Sequence, residues 1–217
     1  MTTTNDANQL YICAVLERGH QLAKSAPPMK TKSDTAGVNA YLSAILEAIE
    51  LWETGIQLGT SDAAMIEGLR TALAETAVRA GNAVQKVTDP IWEDKNWSLI
   101  RSNLNAAIEM LKGAYNTVKL ESIEFTLIAL YSDQANCQLR TEGSSSIAKA
   151  MEYVQEGLKL RPNDAKMKSM MGDCYLARFN LNMKNGNVSS AKSDLRKAQE
   201  YKDDPEIEQM VRMMNRL

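Results

Sequence analysis

The sequence predicts an all-α protein, an α-solenoid of about nine helices arranged as antiparallel helix pairs. Its five prolines all lie between segments with a periodic apolar pattern, and never within one. Because proline breaks helix interiors but suits linkers and first turns, these prolines separate helices. The segments between them are rich in alanine, leucine, methionine, glutamate and lysine, which favour helix. Short loops then make neighbouring helices antiparallel.

Apolar residues recur at steps of three and four in four segments, 42–56, 100–118, 147–158 and 191–201. Each of these stripes covers one side of a helix and must pack against a neighbour. Further helices are expected at roughly 7–24, 62–87, 121–141, 163–184 and 205–216. Residues 123–130 would also suit a strand, but the chain offers no partner strand, so helix is favoured. Residues 24–34 are expected to be irregular and mobile.

The expected helix ends carry capping signals. A short polar side chain before a helix accepts a hydrogen bond from an otherwise unpaired N–H group; such residues are Asp62, Ser122, Ser146 and Asn163-Asp164. Glycine after the last turn adopts the left-handed backbone that ends many helices; such glycines are Gly59, Gly143 and Gly186.

An internal repeat joins these elements. Residues 47–63 and 149–165 share an alanine, a glutamate, a glycine, a leucine and a closing Asp-Ala pair. A small residue, a large one four positions later and a small one three further on lets two helices approach closely while the large side chain fills the gap. The pattern occurs four times, at Ala48-Trp52-Gly55, Ala107-Leu111-Ala114, Ala150-Val154-Gly157 and Ala191-Leu195-Ala198. The first alanine of each set is therefore expected to be buried.

This spacing resembles the second helix of the tetratricopeptide repeat (TPR), with Pro162 at the proline position of that family. Met171-Gly172, Tyr175 and the Gly186-Asn187 turn match further positions of the motif. The first alanines are 59, 43 and 41 residues apart, against about 34 in the standard repeat. The resemblance is closest over 144–205, and it implies a divergent TPR-like array with lengthened helices. An unrelated helical bundle is the alternative.

Two domains are expected on this basis. Residues 1–95 form N-terminal helices, as a divergent helix pair or a bundle. Residues 96–217 form TPR-like helix-pair repeats with a C-terminal capping helix.

Composition excludes several classes of function. The 25 basic and 27 acidic residues give a net charge of -2, which does not suit nucleic-acid binding. No apolar stretch approaches the length of a membrane span, and residues 1–6 lack a leader pattern, so a cytoplasmic protein without membrane insertion is expected. Cys13, Cys137 and Cys174 are far apart, and His20 is the one histidine. We therefore expect no metal, no cofactor and no catalytic set, with buried cysteines and a surface histidine.

The resemblance implies a non-enzymatic scaffold or adaptor that binds a peptide or helix of another protein in the groove lined by the first helix of each pair. The groove residues that this resemblance implies are Ile128, Ser132, Asn136, Lys166, Ser169, Asp173, Leu176 and Asn180. One alternative is a helical bundle that binds a small molecule near Tyr131, Cys137 and Arg140. Another is a structural homo-oligomer whose terminal helix forms either a dimer face or a cap, through Ile207, Met210, Val211, Met213 and Met214.

Overall fold

The computed structural model describes residues 2–30, 35–141 and 143–215, with side chains from residue 7 onward. Within these ranges the chain forms nine α-helices and one 3-10 turn, and no strand, which confirms the all-α prediction. The helices are α1 (Thr2–Ser25), α2 (Thr35–Leu58), α3 (Ala63–Thr88), α4 (Trp97–Val118), α5 (Glu121–Leu139), α6 (Ser144–Leu160), α7 (Ala165–Lys184), α8 (Val188–Tyr201) and α9 (Pro205–Met214). Residues 123–130 are thus helical, and the predicted irregular segment falls between α1 and α2, with residues 31–34 outside the described ranges.

The chain divides into two compact units, Met1–Leu130 and Tyr131–Leu217. The division lies within the sequence of α5, and not at the expected boundary between residues 95 and 96. The reason is that α4 contacts both α2 and α3. At one of these contacts Arg70 of α3 donates a hydrogen bond to the carbonyl of Val118, at 3.0 Å. The helix assigned to the second domain therefore belongs to the core of the first unit.

The small residues of the repeat are buried, as predicted. Ala48, Ala107, Ala150 and Ala191 are each 0% exposed. The large residues of the four sets are buried as well, and they are Trp52, Leu111, Val154 and Leu195. Each stripe is therefore the side on which its helix packs, which is the arrangement that a close helix–helix contact requires.

Capping agrees with the sequence at several helix ends. Asp62 accepts hydrogen bonds from the N–H groups of Ala64 and Met65, and Asp164 accepts one from Met167. Gly59 and Gly186 have φ angles of +70° and +74°, the left-handed backbone expected where a helix ends. Neither expected serine is an N-cap, because α5 already begins at Glu121 and α6 begins at Ser144, after Gly143.

In the second unit, α9 covers the end of the α7–α8 pair. Ile207 and Met214 belong to one apolar cluster with Phe179, Leu195 and the alanines of α8, and Met210 and Val211 pack against it. Met213 is 52% exposed. Most of the methionine-rich stripe therefore packs onto its own chain.

In the first unit, α1 and α2 meet at Gly19 and Trp52. The indole is fully buried, and its Nε1 donates a hydrogen bond to the carbonyl of Leu16 at 3.3 Å. A Cβ at residue 19 would lie 2.3 Å from Nε1 of Trp52, inside van der Waals contact. Only glycine fits at residue 19 with the indole in this position.

We expect Gly19→Ala to destabilise the first unit by about 1–2 kcal/mol. Overpacking a core costs about 1–3 kcal/mol, and the better helix propensity of alanine offsets part of that cost. Gly113→Ala is the matched control, because Gly113 is exposed on α4 with no atom within 4 Å of its added Cβ. The free energy of unfolding of that variant should rise by up to about 1 kcal/mol, because alanine favours helix more than glycine does. Urea unfolding followed by tryptophan fluorescence reports this unit, since Trp52, Trp92 and Trp97 all lie in it. Equal midpoints for the two variants would contradict the close approach.

Candidate functional site

The structure separates the eight predicted groove residues into two groups. Ile128 and Ser132 are 5% and 2% exposed, so their prediction as groove surface is wrong. The reason is that α5 is covered on most of its circumference: 126–128 and 130–132 are both buried runs, and three consecutive helical residues point to three different sides. Asn136 is half-buried on the same helix, and the five residues on α7 are half-buried or exposed.

The predicted residues of α7 do share one side of their helix. Their spacing of three and four residues aligns them along about five turns, and Ala177 and Lys184 extend the same line. We call this stripe the α7 face; its residues are Lys166, Ser169, Asp173, Leu176, Ala177, Asn180 and Lys184.

Other sides of α7 pack within the second unit. Met167 lies against Gly157 of α6, where an added Cβ would be 2.6 Å from the Cε atom of the methionine. Tyr175 stacks on Tyr201 of α8, with ring centroids 5.8 Å apart. The α7 face borders these contacts, because Leu176 packs against the apolar cluster of α8 and α9 and Asp173 pairs with Lys202 at the end of α8.

The α7 face carries a positively charged side chain at each end. Lys166 and Lys184 are exposed there. The single acid on α7, Asp173, forms an ion pair with Lys202, the residue directly after α8, whose Nζ lies 2.5 Å from Oδ1. The negative charge at the centre of the face is thus balanced within the protein, and the two terminal lysines remain to attract an acidic group.

A charged clasp fixes α7 against α8. Arg178 donates from Nε and Nη2 to Oδ1 of Asp194, at 3.0 and 2.6 Å, and Asn182 donates to Oδ2 at 2.8 Å. The hydrogen bond to Asp194 raises the pKa of Arg178, while partial burial acts in the opposite direction. These groups line a polar cavity of about 310 Å³ with Ser190 and Ser193. Because they satisfy one another, we interpret the clasp as structural.

A second cavity, of about 440 Å³, lies among α1, α2 and α3 of the first unit. It is lined by His20, Ala23, Lys24, Tyr41, Ile45, Thr76 and Arg79. His20 is exposed, as predicted, and its ring contacts Trp52 edge to face at 5.3 Å between centroids. The sequence prediction missed this site, because its residues come from three separate helices. The local signals for this site were the spacing of four residues between His20 and Lys24 and of three between Thr76 and Arg79, because each spacing places two residues on the same side of a helix.

The cysteines differ in their surroundings. Cys137 and Cys174 are buried, as predicted, but Cys13 is exposed, so its prediction as a core residue is wrong. Cys13 follows the buried Ile12 directly, and one residue along a helix turns the side chain by about 100°. Burial and the neighbouring charge of Asp173 raise the pKa of Cys174 to about 12.

In the part of the chain that the structure describes, no group of three histidine, cysteine or carboxylate side chains is placed to hold a metal ion. None of the helices in those ranges combines the length and apolar character that crossing a membrane requires.

No known family model matches the chain, and no curated protein sequence matches it significantly. One solved chain that does match comes from work on the computational design of self-assembling cyclic protein homooligomers. It is 13% identical, with a TM-score of 0.34, over 98% of this chain and 92% of that one. A TM-score of this size does not establish a shared fold.

We expect one fast-reacting thiol per folded chain. Thiolate is the reactive form of cysteine, and Cys174 carries almost none at about pH 8 because of its raised pKa. Titration with a chromogenic disulfide should show a fast phase from Cys13 and slow phases from the two buried thiols. Cys13→Ser should remove the fast phase; a fast phase that persists in this variant would contradict the assignment.

Loss of Arg178 and loss of Asp194 should lower the free energy of unfolding by different amounts. Arg178→Met leaves Asp194, whose side chain is 5% exposed, without its cation, and should cost about 2–3 kcal/mol. Asp194→Asn leaves a guanidinium that is 40% exposed and remains hydrated, so its cost should be about 1 kcal/mol. Urea unfolding followed by circular dichroism gives both values. A greater cost for Asp194→Asn would contradict this account.

Proposed function

We propose that the protein is a non-enzymatic scaffold, a divergent TPR-like array that binds a short segment of another protein along the α7 face. The observation that carries the proposal is the α7 face itself. It combines small, apolar and polar side chains that are half-buried or exposed, and it meets the α8–α9 part of the unit at Leu176 and Asp173. In helix-pair arrays, such a side of the first helix is where peptides bind.

The chemistry of the face favours binding over catalysis. Its hydroxyl and carboxylate, Ser169 and Asp173, are four residues apart, but the face carries neither a histidine nor a cysteine. A serine nucleophile needs an adjacent general base. Asp173 is held by Lys202 and does not act as that base.

The charges of the face define the expected ligand. Lys166 and Lys184 lie at opposite ends of α7, and Leu176 and Ala177 lie between them. An acidic residue near each end of a peptide complements the lysines, and a small apolar centre fits between. We therefore propose a peptide segment with an apolar middle and acidic flanks as the partner.

A displayed library of random peptides tests this function on the full chain. Selected sequences should share acidic flanks around an apolar centre. The variant Lys166→Glu/Lys184→Glu should weaken their binding at least about tenfold, as expected for loss and reversal of two favourable charges. Fluorescence anisotropy of the labelled peptide gives the affinities.

The matched control is Lys149→Glu/Lys159→Glu, which makes the same charge change at exposed positions of α6. It should leave affinity within about twofold. Failure to enrich any sequence overturns the proposed function. Equal losses in the two double variants overturn the assignment to the α7 face.

A further inference from the structure

The cavity of the first unit concentrates positive charge. His20 and Lys24 come from α1 and Arg79 from α3, and no carboxylate is among the residues that line it. Three basic groups around one space repel each other when they are protonated. An anion inside the cavity would relieve that repulsion.

Lys24 and Arg79 have no acidic partner among the residues that the structure describes. Elsewhere basic residues use carboxylates one turn away, as Arg212 does with Glu208 at 2.7 Å. Arg79 has the same option at Glu75, since a glutamate four residues before an arginine is a favourable pair. It instead donates from Nη2 to Oγ1 of Thr76, at 3.2 Å. The guanidinium is thus held at the cavity wall.

The floor of the cavity adds hydroxyl donors and an apolar surface. Thr76 and Ile45 are each 2% exposed, and Tyr41 is half-buried beside them. Burial raises the pKa of Tyr41, with the nearby Arg79 cation acting in the opposite direction. Its phenol therefore stays a neutral hydrogen-bond donor at neutral pH. Glu17, the acid nearest to His20 along α1, accepts a hydrogen bond from Gln21.

We propose that this cavity binds a small organic molecule that carries a phosphate group. Arginine grips phosphate oxygens in pairs and lysine adds a point charge, so Arg79 and Lys24 hold the phosphate at the mouth. The hydroxyls of Tyr41 and Thr76 donate to it, and Ile45 and Ala23 contact the organic part. The cavity volume of about 440 Å³ lies in the range of small-molecule sites.

Trp52 provides a built-in reporter, because its buried indole contacts the ring of His20 at the cavity wall. A variant with Trp92→Phe and Trp97→Phe leaves it as the only tryptophan. Titration of this full-length protein with phenyl phosphate should change Trp52 emission saturably. Inorganic phosphate and benzoate should bind more weakly, since the first lacks the apolar group and the second has a smaller charge.

Two substitutions and one control localise the binding. Arg79→Gln and Lys24→Gln should each weaken phenyl phosphate binding at least about tenfold. Arg18→Gln removes the same charge from another side of α1 and should leave binding within about twofold. Both cavity cations are exposed, so neither substitution disturbs a buried pair.

Three outcomes overturn the proposal. One is no saturable change with phenyl phosphate in either fluorescence or calorimetry. Another is an equal loss of affinity in Arg18→Gln, which would show diffuse charge attraction. The last is binding of phenol or benzoate as tight as that of phenyl phosphate, which would exclude phosphate as the recognised group.

Discussion

The close approach of paired helices at small residues is the constraint on which the architecture depends. Helix axes come near one another only where a side chain is reduced to a methyl group or less, and one large neighbour then fills the space. Ala48 with Trp52, and Ala150 with Val154, show the same solution in two separate units, with all four side chains fully buried. In both units, helices that follow one another in the sequence contact each other, as α1 does with α2 and α7 with α8.

The helices were predictable because their signals are local. Prolines, stripes and caps such as Asp62 and Asp164 act within one or two turns, and the structure has helices at each expected place. The division between units was not predictable. It depends on the helices against which α4 packs. The sequence of α4 shows an apolar stripe, but the stripe does not indicate which helices will cover it. Ile128 and Ser132 were misplaced for a related reason, since a helix buried on most sides has no single stripe to orient it.

Whether a site could be predicted also depends on how many helices form it. The α7 face could be predicted because one helix carries it. The cavity of the first unit could not be predicted, because His20 and Arg79 lie on different helices and Tyr41 lies on a third helix between them in the sequence. Each of these residues alone is typical of an ordinary solvated surface. Only the packing of α1, α2 and α3 converts them into one positively charged enclosure, and that packing rests on Gly19 against Trp52.

The seam between α6 and α7 has a chemical consequence of its own. It is filled by a thioether, because Gly157 leaves room for Met167, whose sulfur lies 3.0 Å from the position of an added Cβ. Oxidation to the sulfoxide would place a polar oxygen in that fully buried space and force the two helices apart. Met183 and Met213 are 37% and 52% exposed, so peroxide reaches them first.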